Sequence, residues 1–366
     1  MASLRLYEHD SLKLTVPEAG CADMRTLSSD YLREQYRLLV RWLMILQKRP
    51  RFEDAKTVLD SVRGLVGANP GLLFSVIRRS SFGGLLRCID GQLRNAEWTP
   101  NAEQWSTELL SELVAELSRH ESIIGENSSV DESGQSSTRE NSRWPVVDGI
   151  VLSLVDNNPM ALMETHPDKD GNGVDLGGKS VEEWAEVLRE AFKLIESAFP
   201  EIYAEMKLGL QQIIPVGYDE KKHLSASYQE FVGTIYLTLH PDVLTMVEAL
   251  IHEFSHTKMN MLWSLDYVLH NAFNPLFTSP FRPDPRPLHG ILLGLHAFLP
   301  IEYFYERMTA SNHVICNDPG WEKRRSRLRD LNNDAARTVA LHGEPTVLGQ
   351  RVLNDVEYWN GHFSSI

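Results

Sequence analysis

The sequence predicts an α+β chain that is predominantly helical, with a helical N-terminal region followed by a small mixed sheet packed on one motif-bearing helix. Three observations carry this. Apolar residues recur at three- and four-residue intervals along much of the chain, β-branched runs are confined to its middle, and the last of those runs stops just before the segment His252-Glu253-Phe254-Ser255-His256. With 366 residues, 42% of them hydrophobic, the chain can bury one large core or two.

Taken in order, the stretch from about Leu27 to His120 reads as helical, with Tyr31, Leu32, Tyr36, Leu39, Val40, Leu43 and Leu46 on one stripe. Between Gly125 and Arg143 the chain is serine-rich, polar and almost free of apolar residues, so it cannot bury enough surface to order itself. The expected division is a helical region over 1–124, a flexible linker over 125–143 and an α+β region over 144–366. Val146 to Val155 reads as one strand, and Val181 to Phe199 as an amphipathic helix capped by Ser180. Gln212 to Val216 and Phe231 to Leu239 read as further strands. The second of these is either an edge beside the motif helix, to which an extended peptide adds as another strand, or a covered central strand. Thr278 to Pro287 has too many prolines for helix or central strand and reads as a stiff extended loop. From Leu288 to Met308 the chain is a long apolar helix that tolerates Gly290 and Gly294 where close packing needs them, and the tail from Trp321 is charged, then helical.

A formal charge of −14 argues against a nucleic-acid partner, because phosphate binding relies on clustered Lys and Arg. The three cysteines, Cys21, Cys88 and Cys316, are odd in number and far apart, which indicates neither a disulfide framework nor a thiolate zinc site. No signal-like segment opens the chain and no apolar run is long enough to span a bilayer, so the expected setting is cytoplasmic, away from membranes. Asp168 to Gly173 imitates the first half of a calcium loop, but Lys179 stands at the twelfth position where a bidentate glutamate is required, so it reads as a turn.

The chemistry gathers at His252 and His256. Val243, Leu244, Val247, Leu250, Ile251 and Phe254 give the segment helical spacing, and Pro241 and Asp242 supply its start. Residues four apart share a helical face, so the two imidazoles can hold one metal ion with Glu253 beside them. A useful site needs a third protein ligand. His296 leads, with His289 on the same helical face and Glu302 as the carboxylate alternative; the bland reading of His296 is a hydrogen-bonded core histidine. Zinc peptidases with this motif take their third ligand from patterns that are missing here, which opens non-haem iron(II) as the alternative. An iron site of that kind takes a chelating 2-oxo acid and dioxygen at its open positions. The oxo acid's carboxylate needs a guanidinium partner, for which Arg282 and Arg286 are placed in the rigid loop, unless they serve as solvated or structural partners of Asp284.

Glu248 to His256, Ser279-Pro280-Phe281-Arg282-Pro283-Asp284-Pro285-Arg286-Pro287-Leu288 and Gly294-Leu295-His296-Ala297-Phe298 together resemble the His-Glu-x-x-His peptide-modification family, regarded as 2-oxoglutarate-dependent peptide β-hydroxylases. His223 to Ser227 and Gly233-Thr234-Ile235 are similar to the same pattern, and the likeness covers most of the C-terminal two-thirds. It implies an enzyme using Fe(II), 2-oxoglutarate and O2 to hydroxylate the β-carbon of a residue in a ribosomally made precursor peptide. It also implies His252 and His256 as ligands and Arg282 or Arg286 as the holder of 2-oxoglutarate, with Ser279 opening that loop. Some relatives carry a histidine where Leu293 stands, so this chain departs from the pattern or uses His296. Glu253 then orients a ligand or the substrate. A zinc peptidase with Glu253 as the catalytic base and a non-catalytic peptide-binding scaffold are the competing expectations.

Overall fold

The computed structural model describes residues 5–8, 11–94, 99–125, 142–160 and 171–365. Nearly all of the expected linker, and the first three residues of the Asp168–Gly173 turn, lie outside them. Among the described residues are eleven α-helices, a five-stranded mixed sheet and a two-stranded ribbon, which is the predominantly helical α+β class that the sequence predicts.

The N-terminal helices are α1 (Ala22–Leu46), α2 (Ala55–Ala68), α3 (Pro70–Ile77), α4 (Ser80–Arg94) and α5 (Pro100–Gly125). They close on their own core, in which Leu39, Trp42 and Leu46 of α1 meet Phe52, Leu73, Phe82 and Leu109. The other half of α1 belongs elsewhere. Met24, Leu27 and Tyr31, together with Leu6, Leu12, Leu14 and Val16 ahead of the helix, join the larger core built by the rest of the chain. The stitching is polar as well: Asp355 Oδ2 accepts the N–H groups of Leu14 at 3.1 Å and Thr15 at 2.8 Å, and Arg351 donates to the Leu6 carbonyl at 2.8 Å.

The sheet runs in the order β1 (Arg143–Val147), β2 (Ile150–Ser153), β3 (Gln212–Tyr218), β5 (Thr234–Leu239), β4 (Ser225–Ala226). The run from Val146 to Val155 is thus not one strand but part of a hairpin, because Asp148-Gly149 turns the chain with Gly149 at φ 78°, and Val147 faces Ile150. β5 lies parallel to β3 and antiparallel to β4, which makes it a covered strand with all six residues buried, and leaves β4 as the edge. Between β2 and β3 come α6 (Val181–Ala198) and α7 (Pro200–Gly209). Ser180 caps α6 in a reciprocal box: its hydroxyl accepts the Glu183 N–H at 3.1 Å and its own N–H donates to the Glu183 carboxylate at 2.8 Å.

Helix α8 (Val243–Trp263) carries the motif, and Asp242 caps it by accepting the N–H groups of Leu244 and Thr245. A short ribbon of β6 (Leu276–Phe277) and β7 (Arg286–Pro287) leads into α9 (Leu288–Ala310), which packs along α8; α10 (Trp321–His342) and α11 (Val347–Ser364) close the outer side. At the centre of this body Lys258 and Glu205, 0% and 1% exposed, form an ion pair of 2.9 Å, and Lys258 also donates to the Leu14 carbonyl. Among the described residues no helix is long and apolar enough to cross a membrane.

Candidate metal centre

One turn of α8 brings the His252 and His256 rings to 4.3 Å between centroids, inclined at 72°. One nitrogen from each and one carboxylate oxygen of Glu253 lie within 4.8 Å of one another, the only group of three such donors among the described residues. Both rings keep some contact with solvent, yet dense packing disfavours their charged forms. Burial, with the Arg282 charge adding to it, pushes His252 down to about 4. Burial, then the neighbouring rings of His252, His296 and His289, then Arg282, hold His256 well below the ordinary imidazole range. A neutral imidazole is the ligating form, and Nδ1 of each ring is buried with no hydrogen-bond partner. Two neutral nitrogens beside a carboxylate suit a divalent first-row metal, so the residues fit such an ion.

Glu253 is only 2% exposed. Ser225 donates to its Oε1 at 2.6 Å and Ser227 to its Oε2 at 2.8 Å. Strand alternation explains the pair, since residues two apart share a face. Burial raises the Glu253 carboxyl to about 7, with the two hydroxyls and Arg282 pulling the other way. The backbone of the same segment faces outward. Thr238 donates to the Leu224 carbonyl at 2.9 Å and Ala226 pairs with Tyr236, so the N–H and C=O of Ser225 point away from β5 toward the open edge.

Arg282 approaches from the proline-rich loop. Ser279, expected near the cosubstrate, is a turn residue: its Oγ accepts the Phe281 N–H at 3.3 Å. The Phe281 ring lies 5.0 Å from Phe298, and Phe298 lies 4.5 Å from His252. Gly294 makes this possible, because a Cβ there would come within 2.6 Å of the Phe281 ring. The charge of Arg282 acts on His252, Glu253 and His256, and Arg282 has no hydrogen bond or ion pair with the described residues. Arg286 differs: its Nε sits 2.9 Å from Asp284 Oδ2, and its backbone pairs with Phe277. The two arginines, equivalent in sequence, are separated by the structure.

None of the expected third ligands joins the group of donors, although the charges of His296 and His289 act on His256. His296 is fully buried outside the group of donors, where burial and then the Lys258 charge hold its ring well below the ordinary imidazole range. The fold turns this face of α9 toward the buried Lys258. His289 stacks on Trp263 at 3.7 Å and Phe273 at 5.0 Å. Glu302 accepts Arg329 at 3.0 Å and Asn332 at 2.9 Å, tying α9 to α10. The donor that stands with the two histidines is Glu253. Sequence reasoning missed Ser225 and Ser227 as its partners, although Ser-x-Ser beside a β-rich run is the signal that would have found them. Compared with protein-family models and with curated proteins, the chain matches none.

Proposed function

We infer that the chain is an iron(II)- and 2-oxoglutarate-dependent oxygenase that hydroxylates the β-carbon of a residue in a ribosomally made peptide, in a cytoplasmic setting that keeps its three free cysteines reduced. The observation that carries this reading is Arg282, a guanidinium without an anionic partner among the described residues, acting on both motif histidines. A cation with no carboxylate in ion-pair contact among the described residues is what a chelating oxo acid needs, since a charge-assisted fork on its far carboxylate fixes its direction.

His252 and His256 would hold the metal, with Glu253 beside them. Bound iron, with 2-oxoglutarate and dioxygen, supplies the oxidising power that converts C–H to C–OH while 2-oxoglutarate becomes succinate and carbon dioxide. The chain's own residues do the rest. Arg282 binds and orients the oxo acid, Phe281 and Phe298 exclude water beside His252, and the outward backbone of Ser225 offers an extended peptide a strand to pair with. Ser225 and Ser227 occupy both oxygens of Glu253, which suits a positioning role.

One observation favours a second reading. A carboxyl raised to about 7 beside a histidine pair is also what a zinc peptidase would use to deprotonate water. Metal-free chain loaded with iron(II) and given 2-oxoglutarate in air is expected to form succinate, and zinc-loaded chain to leave a peptide library intact. Cleavage with zinc and no succinate with iron would replace the oxygenase by the peptidase.

A further inference from the structure

Between the two hydrophobic cores lies a cleft of about 600 Å³ that the reaction just described does not use. Glu34 and Gln35 of α1, Asp90 of α4, Glu230 beyond β4, and Trp263 and Asp266 at the end of α8 are among its walls. Gln35 is 0% exposed, and neither its carbonyl oxygen nor its amide nitrogen has a hydrogen-bond partner. A buried amide unpartnered on both its donor and its acceptor side is unfavourable, and a peptide amide satisfies both at once.

The charge of the cleft points the same way. Four carboxylates line it against one guanidinium, that of Arg87, which donates to Ser264 and lies over the Tyr31 ring. Glu34 and Asp90 have partners in Arg37 and Arg41, and Asp266 accepts Tyr7, Val268 and Thr346. Glu230 has no hydrogen bond or ion pair with the described residues. Two walls of the cleft belong to segments that also carry the metal centre. Glu230 follows Ser227 by three residues through a bend, which keeps the two within about 10 Å. Trp263 stacks on His289 and lies seven residues beyond His256, about 10 Å along the helix.

We propose that this cleft holds the flank of the peptide substrate, about three residues from the one that faces His252 and His256. A lysine or arginine side chain of the peptide meets Glu230, and a neighbouring peptide amide meets Gln35. The assignment rests on the reading that the centre acts on a peptide, but it does not depend on which reaction follows.

The probe is a phage-displayed library of random dodecapeptides, panned on the full chain and on Glu230→Lys and Gln35→Leu. Peptides enriched on the unaltered chain are expected to share a lysine or arginine at a common position and to bind Glu230→Lys at least tenfold more weakly. Enriched peptides without a basic residue, no enrichment at all, or equal binding to Glu230→Lys would overturn the proposal. Glu230→Lys changes a partly exposed side chain, so an unchanged melting temperature separates lost docking from lost folding. Succinate formed without peptide is expected to be equal in the two proteins. If iron yields no succinate in either while binding still depends on Glu230, the oxygenase reading fails and the docking cleft stands.

Discussion

Gly294 and Phe281 meet across a contact that no other residue at 294 permits, since a Cβ on Gly294 would stand 2.6 Å from the ring. Phe281 is the residue before Arg282, so the helix α9 sets the loop by what it lacks. Gly294→Ala is expected to displace Phe281 and with it Arg282. The Michaelis constant for 2-oxoglutarate should rise about tenfold, with stability lower by about 1–3 kcal/mol from overpacking and metal content unchanged. Steady-state kinetics beside a metal assay check this; an unaltered constant would show that the ring does not position the arginine.

The two arginines of the loop should behave differently. Arg282→Ala is expected to weaken 2-oxoglutarate about 10- to 100-fold, the range for losing a charge-assisted hydrogen bond. Arg286→Ala removes a solvent-exposed pair with Asp284 and should change the constant less than twofold. Titration of each variant with 2-oxoglutarate distinguishes them, and equal losses would return Arg286 to the site.

Metal retention orders the histidines. His252→Ala and His256→Ala are expected to reduce bound iron to background, whereas His296→Ala keeps close to one ion per chain because its ring lies outside the donor group. Elemental analysis after dialysis reads the result. Loss of iron from His296→Ala would restore it as the third ligand.

Asp355 gives the chain a pH dependence whose sign follows from burial. Burial raises its carboxyl from 3.8 to about 6 while the backbone N–H groups of the Leu14–Thr15 segment oppose the shift only in part. The folded state therefore holds the proton more tightly than the unfolded state. That contribution is complete below about 4 and is lost as the pH rises through about 6. Two units correspond to about 3 kcal/mol. Asp355→Asn does not titrate there, so its stability relative to the unaltered chain should improve by roughly that amount between pH 4 and 7. Urea unfolding of both proteins across this window tests it, and a constant difference would refute the assignment.

Lys258 and Glu205 form the one fully buried ion pair among the described residues. Lys258→Met strands the carboxylate and is expected to cost about 3–5 kcal/mol, while the double change to Met and Leu should recover much of the loss. Chemical denaturation of the three proteins measures both effects.

What was readable in the sequence was local. The Ser180 box, the Asp242 cap and the stripe of α8 depend on residues within a few positions, and each appears where its spacing places it. What was hidden depended on packing. β4 has two residues, too few to announce a strand, yet it takes the edge from the longer β5. The turn at Gly149 was written in Asp148-Gly149 and passed over inside an apolar run. The face of α9 that carries His296 follows from how α8 and α9 lie against each other, and no periodicity states that. Arg282 and Arg286 lie four residues apart, and they are told apart by the aspartate and the short ribbon that hold the second.

Helix α1 runs unbroken from Ala22 to Leu46, with its first half in one core and its second half in the other. Glu34 and Gln35 lie between the two halves, on the wall of the cleft. The helical bundle and the sheet therefore share a continuous strut, and the cleft has no hinge at this crossing. Its jaws cannot swing apart without bending 25 residues of helix, so its width is governed by the stiffness of a rod rather than by the closing of domains. A peptide docked there as proposed would enter a slot of set gauge, with selection by side-chain size built into the backbone.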